Sequence, residues 1–328
     1  MPRSFALVAL LLFHGGAPRA LQAAPAAGAG AQIRNPWRSL SPGVQTAAAV
    51  DLGGDPAWAA RVVLIDPRSA LLSVQFDAAS PTLAQWRTRF PGALAIANGS
   101  FYSADQRLGA VRPTCDLVLA GKVVRGAGCR RQDALFFGAQ PAAPPPAKAQ
   151  SGASAARPAK ASGARDAGVD AGPLAPQRGS REDALRNAPA AGSPPPDCAV
   201  SSNGAGPRLL SPTDFRAEEW TEALKSFPAL VHQCQPACPG PHYCQEQSRT
   251  AALAQLRDGK LVLFASQGPA VRREVGRFLA ERLGAAEAVN LDGGPEATLS
   301  LRGERLEDSI GMAGTGLPLV LVLLLPSP

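Results

Sequence analysis

Residues 139–196 hold Pro, Ala, Gly, Ser and scattered charge, with no aromatic residue and only Val169, Leu174 and Leu185 as larger aliphatics. Ordering one backbone residue costs roughly 1–2 kcal/mol of conformational entropy, and this composition has too little apolar surface to offset that. The stretch is expected to be a disordered insert, so the fold must come from the sequence on either side. Whether the two sides are separate domains or one interrupted domain is left to the motifs.

The chain ends set the outer bounds. Arg3, an apolar run over 5–13 and small residues up to about Ala24 have the layout of a secretory signal peptide. That run is far short of the roughly 20 residues that span a bilayer. The apolar segment 317–325 is short as well, contains Pro318, and reads as a buried last strand. Export is therefore expected, to the periplasm or outside the cell, with no transmembrane segment in the mature chain. Of the 328 residues, roughly 240 remain for folding, enough for one large domain or two small ones. A net charge of +7, no Lys/Arg run and two Tyr exclude a nucleic-acid surface. In an exported chain the even set Cys115, Cys129, Cys198, Cys234, Cys238 and Cys244 is expected to form disulfides.

Local patterns place the elements. Residues 61–66 and 71–76 are apolar runs joined across Asp66-Pro67-Arg68-Ser69, which predicts a hairpin. Ser80-Pro81 predicts a helix to about Phe90, with Ser80 as its cap. Residues 94–97 read as a buried strand entering Asn98-Gly99, and 117–119 with 123–124 as a hairpin around Gly121. Later, 251–256 and 260–265 form a hairpin through Asp258-Gly259. A helix from Pro269 carries Val271, Val275, Phe278, Leu279 and Leu283 on one stripe and stops at Gly284. The strand 287–291 then runs into Asp292-Gly293-Gly294. In open α/β sheets, polar residues just past strand ends line the ligand crevice.

Of three His, His14 lies in the leader, and His232 and His242 lie in a Cys-rich loop, so a Ser-His-Asp or Cys-His mechanism would need that loop. No G-x-S-x-G elbow, P-loop or dinucleotide fingerprint is present. Carboxylates are the expected acids and bases. Three clusters stand out: Asn98-Gly99-Ser100-Phe101-Tyr102, Arg249-Thr250-Ala251, and Asn290-Leu291-Asp292-Gly293-Gly294. Singly, each is a common turn or a solvated charge. In this order, each beside a strand end, they are specific.

In these clusters the chain resembles the phosphodiester glycosidases. That family's strand running into N-G-[GS]-[FY]-[FY] is matched by Ala95 through Tyr102. Its R-T-A and D-G-[KR] hairpin are matched by Arg249-Thr250-Ala251 and Asp258-Gly259-Lys260, and its A-x-N-L-D-G-G by Ala288 through Gly294. After the Gly pair the family has a small residue and then Ser-Ser or Ser-Thr, whereas this chain has Pro295-Glu296-Ala297-Thr298. The segment before a family strand is also replaced, over 228–244.

The resemblance covers roughly 60–138 and 205–325, so it implies one domain from which the insert loops out. The expected organisation is a signal peptide (1–24), an N-terminal extension (25–59), a first part (60–140), the insert (141–196) and a second part (197–328). The expected fold is a single α/β (mixed α+β) domain on a mixed sheet. The implied activity is hydrolysis of a sugar-1-phosphodiester in envelope or extracellular glycans. The alternative is a binding protein for phosphorylated glycans on the same fold. A phosphomonoester leaving group, with its second pKa near 6, needs little help from a general acid. What remains is a carboxylate as nucleophile or base, and cationic donors for the phosphate. The resemblance gives Asp292 the carboxylate role and Arg249 the phosphate clamp, with Asn98 holding a sugar hydroxyl or orienting Asp292. Gly99, Ser100, Thr250, Asn290, Gly293 and Gly294 are the expected substrate-binding positions. No cofactor or metal is implied.

The loop of His232, Cys234, Cys238, His242 and Cys244 admits zinc or disulfides. Two bridges among Cys198, Cys234, Cys238 and Cys244 are the expected state, with three possible connectivities. Cys115 and Cys129 flank the Gly121 hairpin and are placed for a third.

Overall fold

The computed structural model describes residues 35–105, 110–129, 133–141, 198, 200, 206–238, 240–303, 306–312 and 314–326. The expected signal peptide and nearly all of the expected insert lie outside the described residues.

Strands made from continuous apolar runs set the architecture. In Leu319–Leu324, Leu319, Leu321 and Leu323 join one buried cluster, while Val320 and Val322 join another. Ala60–Ile65 divides in the same way, Val63 and Ile65 to one side and Ala60 and Val62 to the other. Successive side chains of a strand face opposite ways, so a run that is apolar throughout needs cover on both faces. Each fully buried Val or Leu is worth roughly 1.5–3 kcal/mol, which makes that cover the main source of stability.

An eight-stranded sheet has the spatial order Arg38–Ser41, Val44–Ala48, Ala60–Ile65, Leu261–Ser266, Ala251–Leu256, Ala285–Asn290, Ala229–His232, Gln235–Pro236. A five-stranded sheet runs Leu306–Ile310, Leu299–Gly303, Ala95–Asn98, Leu319–Leu324, Leu71–Phe76. A third, also five-stranded, runs Arg208–Leu210, Leu135–Pro141, Trp220–Ser226, Leu117–Leu119, Lys122–Val124. One core cluster draws on all three, with Val63 and Leu263, Leu72 and Leu321, and Phe137 and Leu224 among its members. The helix Arg272–Glu281 covers the outer face of the eight-stranded sheet with Val275, Phe278 and Leu279. There Trp58 meets Phe264 and Phe278 edge-on, at 6.0 and 5.7 Å. The helix Leu83–Arg89 covers the first five-stranded sheet with Trp86, whose indole N–H donates to the Leu317 carbonyl at 2.7 Å.

At 16% helix and 45% strand, helices cover sheet faces rather than alternating with strands, so the α/β expectation fits only roughly. The main ladders run antiparallel. Leu135–Pro141 and Arg208–Leu210, on either side of the long low-complexity stretch, pair directly, with Phe136 opposite Leu210. The described residues from Pro36 onward belong to one compact unit. Among the described residues no helix is long and apolar enough to cross a membrane.

Several elements differ from the sequence reading. Ala60–Ile65 and Leu71–Phe76 are strands but not a hairpin: the first pairs with Val44–Ala48 and Leu261–Ser266, the second with Leu319–Leu324. Their turn, in which Arg68 folds back onto Asp66, carries the chain from one sheet to another. The first helix begins after Thr82, not Ser80, because Thr82 and Gln85 form a reciprocal capping box. The last helix begins at Arg272 because Ala270–Val271 pairs with Gln247–Ser248 instead. The expected N-terminal extension is part of the fold from Arg38, which opens the first strand of the eight-stranded sheet.

The cysteines form Cys115–Cys129, Cys198–Cys234 and Cys238–Cys244. This chooses one of the three connectivities and overturns the zinc alternative, since no thiolate is left to ligate. His232 turns instead to Glu287, with Nδ1 2.9 Å from Oε2.

Candidate active site

The three motifs meet where two sheets run out of strand. Ala95–Asn98 ends at Asn98, and Ala285–Asn290 ends at Asn290 beside the start of Ala251–Leu256. Past those ends the backbones bond to one another: Leu291 N–H to Ala251 O at 2.8 Å, Asp292 N–H to Gly99 O at 2.9 Å, and Gly294 N–H to Arg249 O at 2.9 Å. Only glycine fits two of these approaches. A Cβ on Gly99 would stand 2.6 Å from Leu319 Cγ, and one on Gly293 would stand 2.9 Å from Arg249 O.

Asn98 is the clasp. Its Nδ2 donates to Asp292 O at 2.6 Å and Gly99 O at 3.3 Å, and its Oδ1 accepts from Thr298 N–H at 2.9 Å. At 1% exposure, with both ends of the amide engaged, it orients the Asp292 main chain and is not free to hold a sugar hydroxyl.

Thr250 and Asn290, two expected substrate contacts, also bond the scaffold. Thr250 is fully buried, its N–H bonded to Ser266 Oγ at 2.9 Å and its hydroxyl donating to Ser248 O at 3.1 Å. Asn290 is fully buried, its Nδ2 donating to Leu291 O at 2.5 Å. Both satisfy backbone groups stranded where a ladder stops.

Asp292 projects from this scaffold, half-buried, with Oδ1 accepting from Gly293 N–H at 2.9 Å. Burial and the negative charge of Glu296 push its carboxyl up to about 7, against the opposing pull of the Gly293 N–H and the Arg272 charge. Arg249 donates from Nη2 to Ala297 O at 2.6 Å, while its buried Nε has no hydrogen-bond partner. Burial lowers its pKa, and Glu296 works against that. Ser100 Oγ and Asn290 Oδ1 are also buried without partners. Buried polar atoms are nearly always bonded, so the unpaired ones here make the junction a candidate for ligand binding.

The sequence reading missed Arg272 and Tyr102 as members of the site and met Glu296 only as part of a departure from the family pattern. Arg272, 5% exposed, donates to Tyr243 O at 2.9 Å and Ser248 Oγ at 3.0 Å and lies 4.0 Å over the Tyr243 ring. It opens a helix and carries no motif, so only its place beside Gly293 reveals it. The Tyr102 hydroxyl lies 3.3 Å from both Glu296 Oε1 and Gly316 O. Burial and the Glu296 and Asp292 charges raise its pKa. The Phe-Tyr end of the first motif was the available signal. A separate cavity of about 260 Å³, between Leu117, Val123, Phe136 and Phe215, shares no residue with this junction.

Residues 196–316 match the family model described as phosphodiester glycosidase. That range contains the Arg249 and Asp292 motifs, and the Asn98 motif lies before it. No curated protein matches the chain. Among solved structures, the zebrafish N-acetylglucosamine-1-phosphodiester alpha-N-acetylglucosaminidase catalytic domain, auto-inhibited by its pro-peptide, is 16% identical, with 81% of this chain and 77% of that one covered and a TM-score of 0.47. A hypothetical protein from Synechocystis is 16% identical, with 88% of this chain and 61% of that one covered and a TM-score of 0.45. By the family model over residues 196–316, this chain resembles the phosphodiester glycosidases, the family to which its motifs pointed.

Proposed function

We propose that this protein is an exported hydrolase that cleaves a sugar-1-phosphodiester in envelope or extracellular glycans. The observation that carries the reading is the junction itself. It holds a half-buried carboxylate, Asp292, on the same short loop that the Arg249 backbone and side chain grip, with Arg249 Nε unpaired. Three disulfides, at home in an oxidising compartment, support export.

Arg249 brings the charge of its guanidinium to the phosphate, and Arg272 adds positive charge from behind Gly293. Ionised Asp292 takes a proton from a water, whose oxygen attacks the anomeric carbon. The bond from that carbon to the phosphate oxygen breaks, and the electron pair leaves on the phosphomonoester. A carboxyl held near 7 suits a base at neutral pH, since its ionised form is present and still basic. Turnover is therefore expected to rise with pH through about 7. A pure phosphate binder has no use for a carboxylate such as Asp292 beside its anion, which favours turnover over the binding alternative.

Purified protein assayed against a panel of sugar-1-phosphodiesters tests the reading. Release of phosphomonoester, lost in Asp292→Asn, is the expected result. Tight binding with no release would establish the binding protein instead.

A further inference from the structure

Arg272 stands where elementary electrostatics argues against it. It is the first residue of the helix Arg272–Glu281, and it is buried. A cation at a helix start is opposed by the helix dipole, and burying its charge costs more still. The acidic residue of that turn, Glu274, pairs with Arg277 instead, at 3.0 Å. The ion-pair partner of Arg272, Glu246 at 3.3 Å, is itself more than half exposed. A placement this unfavourable, beside a candidate site, is where a functional constraint overrides stability.

The guanidinium commits its donors to one stretch of chain. Nη1 donates to Tyr243 O at 2.9 Å and to Glu246 Oε2 at 3.3 Å, and Nη2 donates to Ser248 Oγ at 3.0 Å. Its central carbon lies 4.0 Å from the centre of the Tyr243 ring. None of these bonds involves the Cys238–Cys244 bridge. The stretch leads directly into Arg249, whose carbonyl accepts from Gly294 N–H at 2.9 Å. The same Nη2 backs Gly293: a Cβ there would stand 3.5 Å from it and 3.9 Å from Ser248 Oγ. Gly293 in turn donates its N–H to Asp292 Oδ1 at 2.9 Å. Arg272 thus bonds the segment that enters Arg249 and touches the turn that fixes Asp292.

We propose that Arg272 is a positioning residue: its planar fork locks the stretch 243–248 against the Gly293 turn, so that Arg249 and Asp292 keep one fixed relation during hydrolysis. The proposal rests on the reading of Asp292 as the catalytic carboxyl and Arg249 as the phosphate clamp. To the charge of Arg272 it adds geometry. A displacement of about 1 Å between reacting groups costs up to about 10²-fold in rate, so such a lock bears directly on turnover. Lysine separates shape from charge, because it keeps the charge on a single nitrogen with no plane. It cannot bond Tyr243 O and Ser248 Oγ as a rigid fork, nor lie flat on the Tyr243 ring.

The test is Arg272→Lys in the full chain, followed by turnover of sugar-1-phosphodiesters and by amide hydrogen exchange. Exchange should quicken in 243–250 and 291–294, where Gly294 N–H is bonded to Arg249 O, and stay as in wild type in the strand Leu319–Leu324. kcat should fall about 10–10²-fold with KM little changed. The rising pH limb should stay near 7, since the positive charge beside Asp292 is kept. Wild-type kcat and exchange in this variant overturn the inference, reduce Arg272 to its charge and leave the first reading intact. Faster exchange throughout the domain also overturns it and marks a residue of the fold. Lost turnover with unchanged exchange overturns it too, because the junction then keeps its geometry without the fork. Wild type that cleaves no phosphodiester removes the first reading, and the exchange pattern alone then decides whether Arg272 locks the junction. If Arg272→Lys fails to fold, Ser248→Ala removes only the Nη2 partner and should give the same local exchange signature with a kcat loss of about tenfold. Wild-type exchange in Ser248→Ala overturns the inference.

Discussion

At the junction of the Asn98, Arg249 and Asp292 motifs, Ser100 Oγ, Asn290 Oδ1 and the Nε atoms of Arg249 and Arg272 are buried with no partner. At the Cys-rich edge of the same sheet, every thiol is bridged and His232 is bonded to Glu287. That bond raises the histidine pKa, the mark of a satisfied ion pair. As sequence, the two regions look equally reactive, each crowding metal- or acid-type side chains into a short span. As structure, one is closed and the other is open. Residue type nominates a site; the atoms left unsatisfied narrow the choice.

The largest expected effect tests whether the open region is the functional one. Asp292→Asn keeps the shape of the side chain and its turn bonding but removes the proton-accepting oxygen. Turnover of a phosphodiester should fall on the order of 10³-fold, within the usual range for general-base catalysis, while binding survives. Wild-type rates in this variant would remove Asp292 from the mechanism. Arg249→Lys should cost less, roughly 10–10²-fold in kcat/KM, the worth of a hydrogen bond to a charged group. Its loss should include binding, seen as a raised KM, because lysine cannot reach Ala297 O and a phosphate with one fork. An unchanged KM would mean that Arg249 serves only to tie down Ala297.

Much of this was legible. The strand at Ala95–Asn98, the Ala251–Leu256 hairpin and the two-faced run Leu319–Leu324 followed from composition and turn chemistry. The motifs then brought Asn98, Arg249 and Asp292 to one junction. What stayed hidden was non-local. Nothing in Asp66-Pro67-Arg68-Ser69 says that the two flanking strands join different sheets, because pairing is settled by partners far along the chain. Arg272 joins the site through tertiary placement alone. The scaffold bonds of Thr250 and Asn290 were not foreseen, and the two roles offered for Asn98 stayed open, because a polar residue at a strand end serves backbone and ligand equally well until its partners are known.

The closed region should respond in stability and not in chemistry. Cys238 and Cys244 close a short loop, with a sequence separation of 6. Their double replacement by Ser should cost about 2 kcal/mol on the chain-entropy account and leave kcat/KM within twofold. Urea unfolding and a standard assay on one preparation check both halves. A variant of normal stability but lost activity would move the functional boundary into this loop and break the contrast.

The smallest effect concerns Asp292 again, now as a stability probe. Its carboxyl is raised from 3.8 to about 7 in the folded protein. A group whose folded pKa lies above its unfolded value favours folding fully below the unfolded pKa, and that contribution is lost as pH rises through the folded pKa. Near pH 3.5 the acid is mostly protonated in both states, and Asn, its neutral isostere, should match it. Above pH 7 the folded state must hold a buried charge beside Glu296, and Asn spares it that. Asp292→Asn should therefore be more stable than wild type at pH 8, by about 1 kcal/mol once solvent screening at a half-buried site is allowed for. The gain should fade toward pH 4. Paired Tm measurements across that range decide it: a gain independent of pH would point to local packing. A loss at pH 8 would show that Arg272 and the Gly293 N–H outweigh burial and Glu296, and that the resting site is built around a charged Asp292.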